Sequence, residues 1–400
     1  MAITVRPLEH ADAEQARRLG GEAFGVPTSP PTQEARVDQP GVAWFGAFDD
    51  GVLVARMVDR VYDSCFGGVL VPTSGIAGVT VVAEARGRGT LSPLFAATLA
   101  SARRRGAVLS TLFPTAPGIY RRFGYEVVAD YVRVELPTTA LTAVRAPIGT
   151  TTRRATLDDV EAIRGVYDHW AIAQNGPLSR RGVSFPGSAK ELLSEFTGVT
   201  VAVDADGEVV GFVSWNRGQG YGESAAIEVA DLLAGTADGY AALLRLVGSF
   251  ASVAPATRID TSGDDLARLH LPSLSWRITS SSPYMLKVLD VVGALTARHY
   301  PPSLSAELTL TLAGDVLPDL DGGYRLTVAG GRAQCVREGA ERLDAGDRVL
   351  TPRGLALLYA GAQSSANLRA AGHLIGGDVA EDLDWDALFG GRQAHIRDYF

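Results

Sequence analysis

The stretch that decides the fold is Gly-Val-Thr-Val-Val-Ala-Glu-Ala-Arg-Gly-Arg-Gly-Thr-Leu-Ser, residues 78–92. Its β-branched first part predicts a strand. The Arg-Gly-Arg-Gly turn at 86–89 follows, and apolar residues at helical spacing predict an amphipathic helix over 91–105. A turn between a strand and a helix N-terminus can bind phosphate, because free N–H groups and the helix dipole point toward the anion. On its own this turn is equally compatible with a plain surface loop, since both the Walker A and the Rossmann glycine patterns are absent.

Strand and helix patterns alternate on both sides of this stretch. Apolar runs around it predict strands at 52–61, 66–71 and 75–83. The same order of elements begins again near residue 151, which indicates an internal duplication with a period of about 150 residues. Beyond residue 299 the pattern is typical of a separate α+β domain. The sequence therefore predicts three domains, at 1–140, 147–298 and 299–400.

The composition excludes several classes of protein. The chain has 400 residues, 46% of them hydrophobic and 20% charged, which is typical of a globular protein with a large core. Its net charge of −8 argues against nucleic acid or an anionic membrane as a partner, because both require a positive surface. No apolar run is long enough to cross a membrane and no signal pattern is present, so we expect a cytoplasmic protein. The two cysteines and six histidines lack the spacing of metal ligands, so we expect no metal.

A second motif, Ile-Tyr-Arg-Arg-Phe-Gly-Tyr at 119–125, places Tyr120 28 residues after Ser92 and just before a long predicted strand. Together the two motifs resemble the GNAT superfamily of N-acetyltransferases. Its members combine an Arg-x-x-Gly-x-Gly/Ala turn with a later Tyr-x-x-x-Gly-Phe/Tyr element. Here Leu91 takes the place of the usual last Gly/Ala. Because of that departure, the second GNAT-like half and the added C-terminal domain, the whole chain resembles the Eis (enhanced intracellular survival) family of aminoglycoside N-acetyltransferases.

The resemblance implies a fold of the α/β and α+β classes. It consists of tandem GNAT-like domains, each with a mixed, mostly antiparallel sheet flanked by helices, and a sterol-carrier-like α+β domain. The family uses acetyl-CoA, and its members commonly form hexamers. The positions implied to bind the pantetheine arm are Val79, Thr80 and Val81. Those implied to hold the pyrophosphate are Arg86, Gly87, Arg88, Gly89, Thr90, Leu91 and Ser92. A loop that also touches the cofactor is implied to be Thr115 and Ala116.

The resemblance also implies two catalytic groups. Tyr120 matches the general acid, and the α-carboxylate of the terminal residue, Phe400, matches the general base. The chemistry is coherent: an amine attacks a thioester only when neutral, so a carboxylate can take its proton, and a tyrosine can protonate the leaving thiolate. We expect burial among Tyr399, Phe400 and apolar neighbours to raise the pKa of that carboxylate. The N–H of Val81 or Val82 is a candidate to stabilise the oxyanion.

The second half is predicted to lack a cofactor site of its own. At 232–239, where the first half has its arginine turn, it carries no arginine, and Asp238 would repel phosphate. We therefore expect the second half to serve as a scaffold and to form one wall of the substrate pocket. The resemblance implies acetylation of cationic amines such as aminoglycosides, at one or several positions. The alternatives are acetylation of protein lysines or small polyamines, or a lipid carrier in which the GNAT halves are structural.

Overall fold

A computed structural model describes residues 3–25, 37–185, 187–273, 275–338 and 346–400. The first half contains β1 (Thr4–Pro7), α1 (Ala13–Phe24), β2 (Val42–Asp49), β3 (Val52–Phe66), β4 (Val69–Val81), α2 (Leu91–Arg104), β5 (Leu109–Leu112), α3 (Pro117–Arg121), β6 (Glu126–Pro137) and α4 (Thr138–Thr142). The second contains β7 (Thr151–Arg154), α5 (Val160–Ile172), α6 (Ala189–Ser194), β8 (Gly198–Val203), β9 (Val209–Arg217), β10 (Ala226–Ala234), α7 (Ala237–Gly248), β11 (Ala256–Ser262) and β12 (Arg277–Val288). The C-terminal part contains α8 (Val291–Ala297), β13 (Ala306–Leu312), β14 (Gly322–Ala329), β15 (Arg332–Arg337), β16 (Val349–Leu350), α9 (Pro352–Ala360), α10 (Ser365–Ala370), β17 (Leu374–Ile375) and α11 (Asp382–Phe389).

The two halves share one twelve-stranded sheet in the order β1-β2-β3-β4-β5-β12-β6-β11-β10-β9-β8-β7. Strand β12, from the second half, lies between β5 and β6 of the first half, and β6 in turn pairs with β11. Among the strand pairs that the described residues form in this sheet, only β4–β5 and β10–β11 are parallel. The predicted mixed, mostly antiparallel architecture is confirmed, but the halves exchange strands where the sequence predicts two units in succession.

Strands β4 and β5 separate at the centre of the first half. Their parallel ladder covers only residues 73–76 of β4 and 109–112 of β5. Strand β4 continues to Val81 after β5 has ended, and its register against β3 shifts at a bulge near Gly78, whose φ is +56°. A bulge increases the local twist and re-aims the strand. One edge of the last residues of β4, 77–81, therefore has no strand of β5 beside it, and this opening between β4 and β5 is called the gap below.

The C-terminal part forms a second sheet of five strands, ordered β15-β14-β13-β16-β17, and packs on the back of the first half. Helix α9 contacts β6 and β12. One hydrophobic core is continuous from β3 and β12 into the C-terminal sheet and α11. The chain after α11 then returns toward the large sheet, where Ala394 makes a parallel bridge with Asn175. Packing on this side thus brings the last residues of the chain back to the first half.

Candidate active site

The arginine turn has the geometry that an anion site requires. Gly87 and Gly89 have φ values of +75° and +78°, and a Cβ at either would meet nothing within 4 Å. The N–H groups of Gly87, Gly89 and Thr90 are not bonded to any described residue. Those of Arg88 and Ser92, in contrast, donate within the turn, to the carbonyls of Ala85 and Gly89. Three free N–H groups at an exposed turn therefore remain for a phosphate.

The predicted helix is present as α2, which begins at Leu91 directly after the turn. Thr90 is its N-cap residue, and its side chain makes no capping hydrogen bond, so the first N–H groups of the helix are left open. Arg86 and Arg88 are exposed. Arg86 donates from Nε to the carbonyl of Val81 at 3.2 Å, which draws this guanidinium over the end of β4.

The end of β4 presents backbone groups to the gap. The N–H of Val82 donates to Val54 on β3 at 2.9 Å. Since successive residues of a strand point their N–H groups to opposite edges, the N–H of Val81 faces the side where β5 has ended. Val79 and Val81 pack against the core of the first half, and Thr80 is buried. Val81 is thus available to a ligand in the gap, whereas Val82 is engaged in the sheet and is ruled out as the oxyanion donor.

Tyr120 lies in the short helix α3, which Pro117 begins. Its ring is buried against Phe95 and Tyr125, with centroids 6.0 and 6.5 Å away. Desolvation raises the pKa of Tyr120 to about 12, so the hydroxyl is protonated at neutral pH and can donate. Thr115 and Ala116 are exposed just before this helix.

The C-terminal tail, residues 390–400, is fixed by polar contacts with the second half. Arg397 pairs with Asp265 at 2.6 Å, and both side chains are buried. Asp398 accepts from Arg180 at 2.8 Å and from the Tyr167 hydroxyl at 3.0 Å. Burial raises the pKa of the Asp398 carboxyl. These contacts hold the chain immediately before Phe400.

The ring of Phe400 packs over the start of the gap. It lies 4.9 Å from the ring of Tyr62 and 5.5 Å from that of Phe113. A Cβ at Gly75 would lie 3.0 Å from Cε2 of Phe400, so the ring covers the strand at a position where only glycine fits. The burial expected around the terminus is only partial: Tyr399 is 63% exposed, with its ring against those of Phe113 and Tyr131, and Phe400 is half-buried.

Tyr120 and Phe400 lie on opposite faces of the sheet. Gly75 faces Phe400, and the next residue, Ile76, belongs to the core that contains Tyr120. Successive residues of a strand point to opposite faces. The ladder between β4 and β5 ends at Ile76, so the two groups flank the point where the sheet opens. A ligand threaded through the gap would have Tyr120 on one side and the chain terminus on the other.

A cavity of about 470 Å³ lies beside the tail, between α5, α6 and the sheet of the second half. It reaches the Phe400 side through Phe185, whose ring lies 5.4 Å from that of Tyr62. Four arginines and five carboxylates line it, so its charge is nearly balanced. Asp231 and Asp398 both pair with Arg180. Sequence reasoning missed Arg180, Tyr167 and Tyr62, because their partners lie far away along the chain.

The corresponding turn of the second half is closed by its own side chains. Thr236 caps α7 by accepting from the N–H of Gly239 at 3.0 Å. Asp238 accepts from Arg145 at 2.7 Å and from the N–H of Ile148 at 2.9 Å. This helix N-terminus therefore has a carboxylate and a hydroxyl where a phosphate would otherwise bind.

Two further findings concern the described part of the chain. It contains no group of three or more His, Cys, Asp or Glu side chains placed to hold a metal ion. None of its helices has the length and apolar character needed to span a bilayer.

Comparison with known proteins supports an acetyltransferase. Family models described as "Acetyltransferase (GNAT) domain" match residues 4–128 and 177–288, and "Sterol carrier protein domain" matches 291–397. An uncharacterized N-acetyltransferase of Streptomyces avermitilis is 29% identical, over 93% of this chain and 92% of its own. N-acetyltransferase Eis of Mycobacterium tuberculosis is 28% identical, over 77% of this chain and 75% of its own.

Solved structures share the whole architecture. A GCN5-related N-acetyltransferase from Kribbella flavida superposes with a TM-score of 0.84 at 28% identity, covering 100% of this chain and 98% of its own. Eis1 from Mycobacterium abscessus superposes with a TM-score of 0.76 at 19% identity, covering 100% of both chains, which shows a common fold.

Proposed function

We propose that this chain, an N-acetyltransferase of the GNAT superfamily with the Eis-like architecture, transfers the acetyl group of acetyl-CoA directly to an amine. In this proposal Tyr120 is the general acid and the α-carboxylate of Phe400 is the general base. The observation that carries this proposal is the placement of these two groups on opposite faces of the sheet where β4 and β5 part. Each can then act on its own side of a thioester held in the gap.

Cofactor binding is assigned to the first half alone. The pyrophosphate would lie at the turn of residues 86–89 and the first turn of α2, where N–H groups are free and Arg86 and Arg88 add charge. The pantetheine arm would lie along the open edge of residues 79–81, and its far end would pass Thr115 and Ala116. The closed turn of the second half supports one cofactor per chain.

The chemical steps follow from this placement. The amine gives a proton to the Phe400 carboxylate, directly or through water, and its lone pair attacks the thioester carbonyl. The N–H of Val81 faces the same gap but lies five residues beyond Ile76, roughly 16 Å along the strand, so it is assigned to the pantetheine arm and not to the oxyanion of the tetrahedral intermediate. The intermediate collapses, the carbon–sulfur bond breaks, and Tyr120 gives its proton to the departing thiolate. The products are an N-acetylated amine and CoA.

The domains would divide these tasks among themselves. Residues 1–140 bind acetyl-CoA and supply Tyr120, residues 147–298 form one wall of the acceptor pocket, and residues 299–400 deliver the terminal carboxylate. The cavity beside the tail supports this division, because residues of the second half and of the tail line it together. The family resemblance implies cationic acceptors such as aminoglycosides, acetylated at one or several amines. The hexamer that it also implies stays a prediction, which sedimentation would test.

Release of free thiol from acetyl-CoA tests the proposed activity. The purified chain is assayed with an aminoglycoside, spermidine and a lysine peptide, with Tyr120→Phe as a matched variant. Thiol release that depends on an amine and falls in the variant supports the proposal, and more than one equivalent per aminoglycoside would show multiple acetylation. Absence of release with every amine, despite binding of acetyl-CoA, would contradict it.

A further inference from the structure

The C-terminal part of the chain, residues 299–400, contacts the turn that carries Tyr120. Glu126, the first residue of β6, is buried, and its Oε2 accepts a hydrogen bond from Nε of Arg353 on α9 at 2.6 Å. Its Oε1 accepts from Nη2 and Nε of Arg121, the residue after Tyr120, at 2.8 and 3.0 Å. One buried carboxylate thus joins α9 to α3, the helix that contains the proposed general acid.

A second contact holds the same turn at Gly124. The φ of this residue is +85°, and a Cβ there would lie 2.9 Å from Nζ of Lys287 and 3.0 Å from Cβ of Pro352. Lys287 is bonded to Asp315, which follows β13, and Pro352 is the first residue of α9. The C-terminal part therefore packs directly against the backbone of the turn.

Hydrogen bonds within the turn link these contacts to Tyr120. The carbonyl of Tyr120 accepts from the N–H of Phe123 at 2.9 Å and from the N–H of Tyr125 at 3.3 Å. The hydroxyl of Tyr125 lies 2.6 Å from Oγ of Ser110 on β5, and both residues are buried. The rings of Tyr125 and Tyr120 also pack together, with centroids 6.5 Å apart. The position of Tyr120 therefore depends on residues 124–126, which α9 contacts.

We propose that the C-terminal part of the chain positions the proposed general acid, with Glu126 and Arg353 as positioning residues for Tyr120. The proposal rests on the role of Tyr120 proposed above. It gives a second task to the part of the chain that also carries Phe400. Both proposed catalytic groups then depend on this part, although they lie on opposite faces of the sheet.

The ion pairs around Glu126 suit a positioning role. The side chains of Arg121 and Arg353 are 44% and 33% exposed, whereas that of Glu126 is 6% exposed. Ion pairs whose cations are partly exposed contribute little to stability, because solvent screens them. A guanidinium that donates two bonds fixes a carboxylate in direction as well as in distance. We therefore expect loss of the Arg353 contact to affect the orientation of α3 more than the stability of the fold.

A double-mutant cycle in kcat tests this inference. Thiol release is measured with wild type, Arg353→Met, Tyr120→Phe and the double variant. Arg353→Met should lower kcat about 10-fold in wild type, because a misplaced catalytic group reacts slowly, and should have no further effect in Tyr120→Phe. Arg353→Lys should recover part of the loss, since lysine can pair with Glu126 but without the planar two-bond geometry. Arg325→Gln, which removes a pair with Glu338 in the C-terminal sheet, is the matched control and should keep the wild-type kcat.

Two further measurements separate positioning from a general loss of structure. The melting temperature of Arg353→Met should stay within about 3 °C of wild type, and the KM for acetyl-CoA should be unchanged. Hydrogen exchange of residues 117–126, measured without turnover, should be faster in Arg353→Met and unchanged in Arg325→Gln.

The outcomes are distinct. A kcat of Arg353→Met within about twofold of wild type, an equal factor of loss in both backgrounds, or unchanged hydrogen exchange at 117–126 would overturn the positioning role. A wild-type kcat in Tyr120→Phe alone would instead refute the proposed general acid, and the inference would fail with it.

Discussion

Gly75→Ala perturbs the proposed base through the aromatic rings that hold it. The new methyl would lie 2.4 Å from Cε2 of Tyr62 and 3.0 Å from Cε2 of Phe400. Carbon atoms in contact prefer about 3.5–4.0 Å, so one or both rings must move by roughly 1 Å. A displacement of this size at a catalytic group can cost about 100-fold in rate. Overpacking should also cost about 1–3 kcal/mol in the free energy of unfolding.

The assay for this variant is steady-state thiol release together with calorimetric binding of acetyl-CoA. We expect kcat to fall about 10- to 100-fold and acetyl-CoA affinity to stay unchanged, because the cofactor turn is remote from Gly75. Gly165→Ala in α5 is the matched control, since its Cβ meets nothing within 4 Å. A folded Gly75→Ala protein with kcat within about twofold of wild type would refute the assignment of Phe400.

Three other predictions test separate parts of the structure. Tyr120→Phe should lower kcat about 100-fold or more while the dissociation constant of acetyl-CoA measured by calorimetry is unchanged, and a wild-type kcat would remove Tyr120 as the acid. Burial lowers the pKa of His395 to about 4, below its unfolded value near 6.5, so its contribution to stability is present above pH 6.5 and is lost as the pH falls toward 4. Urea unfolding should show a loss of up to about 3 kcal/mol over this range that His395→Asn reduces, and an identical pH dependence in the variant would contradict the assignment. Lys287 and Asp315 form a fully buried pair, with Nζ 2.7 Å from Oδ1. Lys287→Met alone should therefore cost about 3–5 kcal/mol in unfolding free energy and the double variant with Asp315→Leu much less, whereas equal losses would show that the two do not interact.

Local features of the fold were predictable from the sequence. The apolar spacing after residue 91 identified α2 to within one residue at its C-terminus, and the glycines of the turn have the positive φ values that their position indicates. The strands predicted at 52–61, 66–71 and 75–83 are in fact one long hairpin, β3 and β4, joined at Gly67 and Gly68. Polar residues such as Asp63 and Ser64 interrupt the apolar pattern there, but they are held in the ladder by pairing.

Contacts between residues that are far apart along the chain could not be predicted from the sequence. The insertion of β12 between β5 and β6 depends on packing between the halves, and no local pattern encodes it. Arg180 and Asp398 are 218 positions apart, so neither signals the other. Arg56 reads as an ordinary polar residue of a strand, and only the structure shows that it is buried without an acidic partner among the described residues.

The most direct test of the mechanism is the rate of the chain with its terminal carboxylate converted to a carboxamide by semisynthesis. This change removes the charge of Phe400 without moving its ring from Tyr62 and Phe113. We predict that kcat for an accepted amine falls about 100-fold or more, while acetyl-CoA still binds. An amidated chain that turns over at the wild-type rate would contradict the terminal carboxylate as the base.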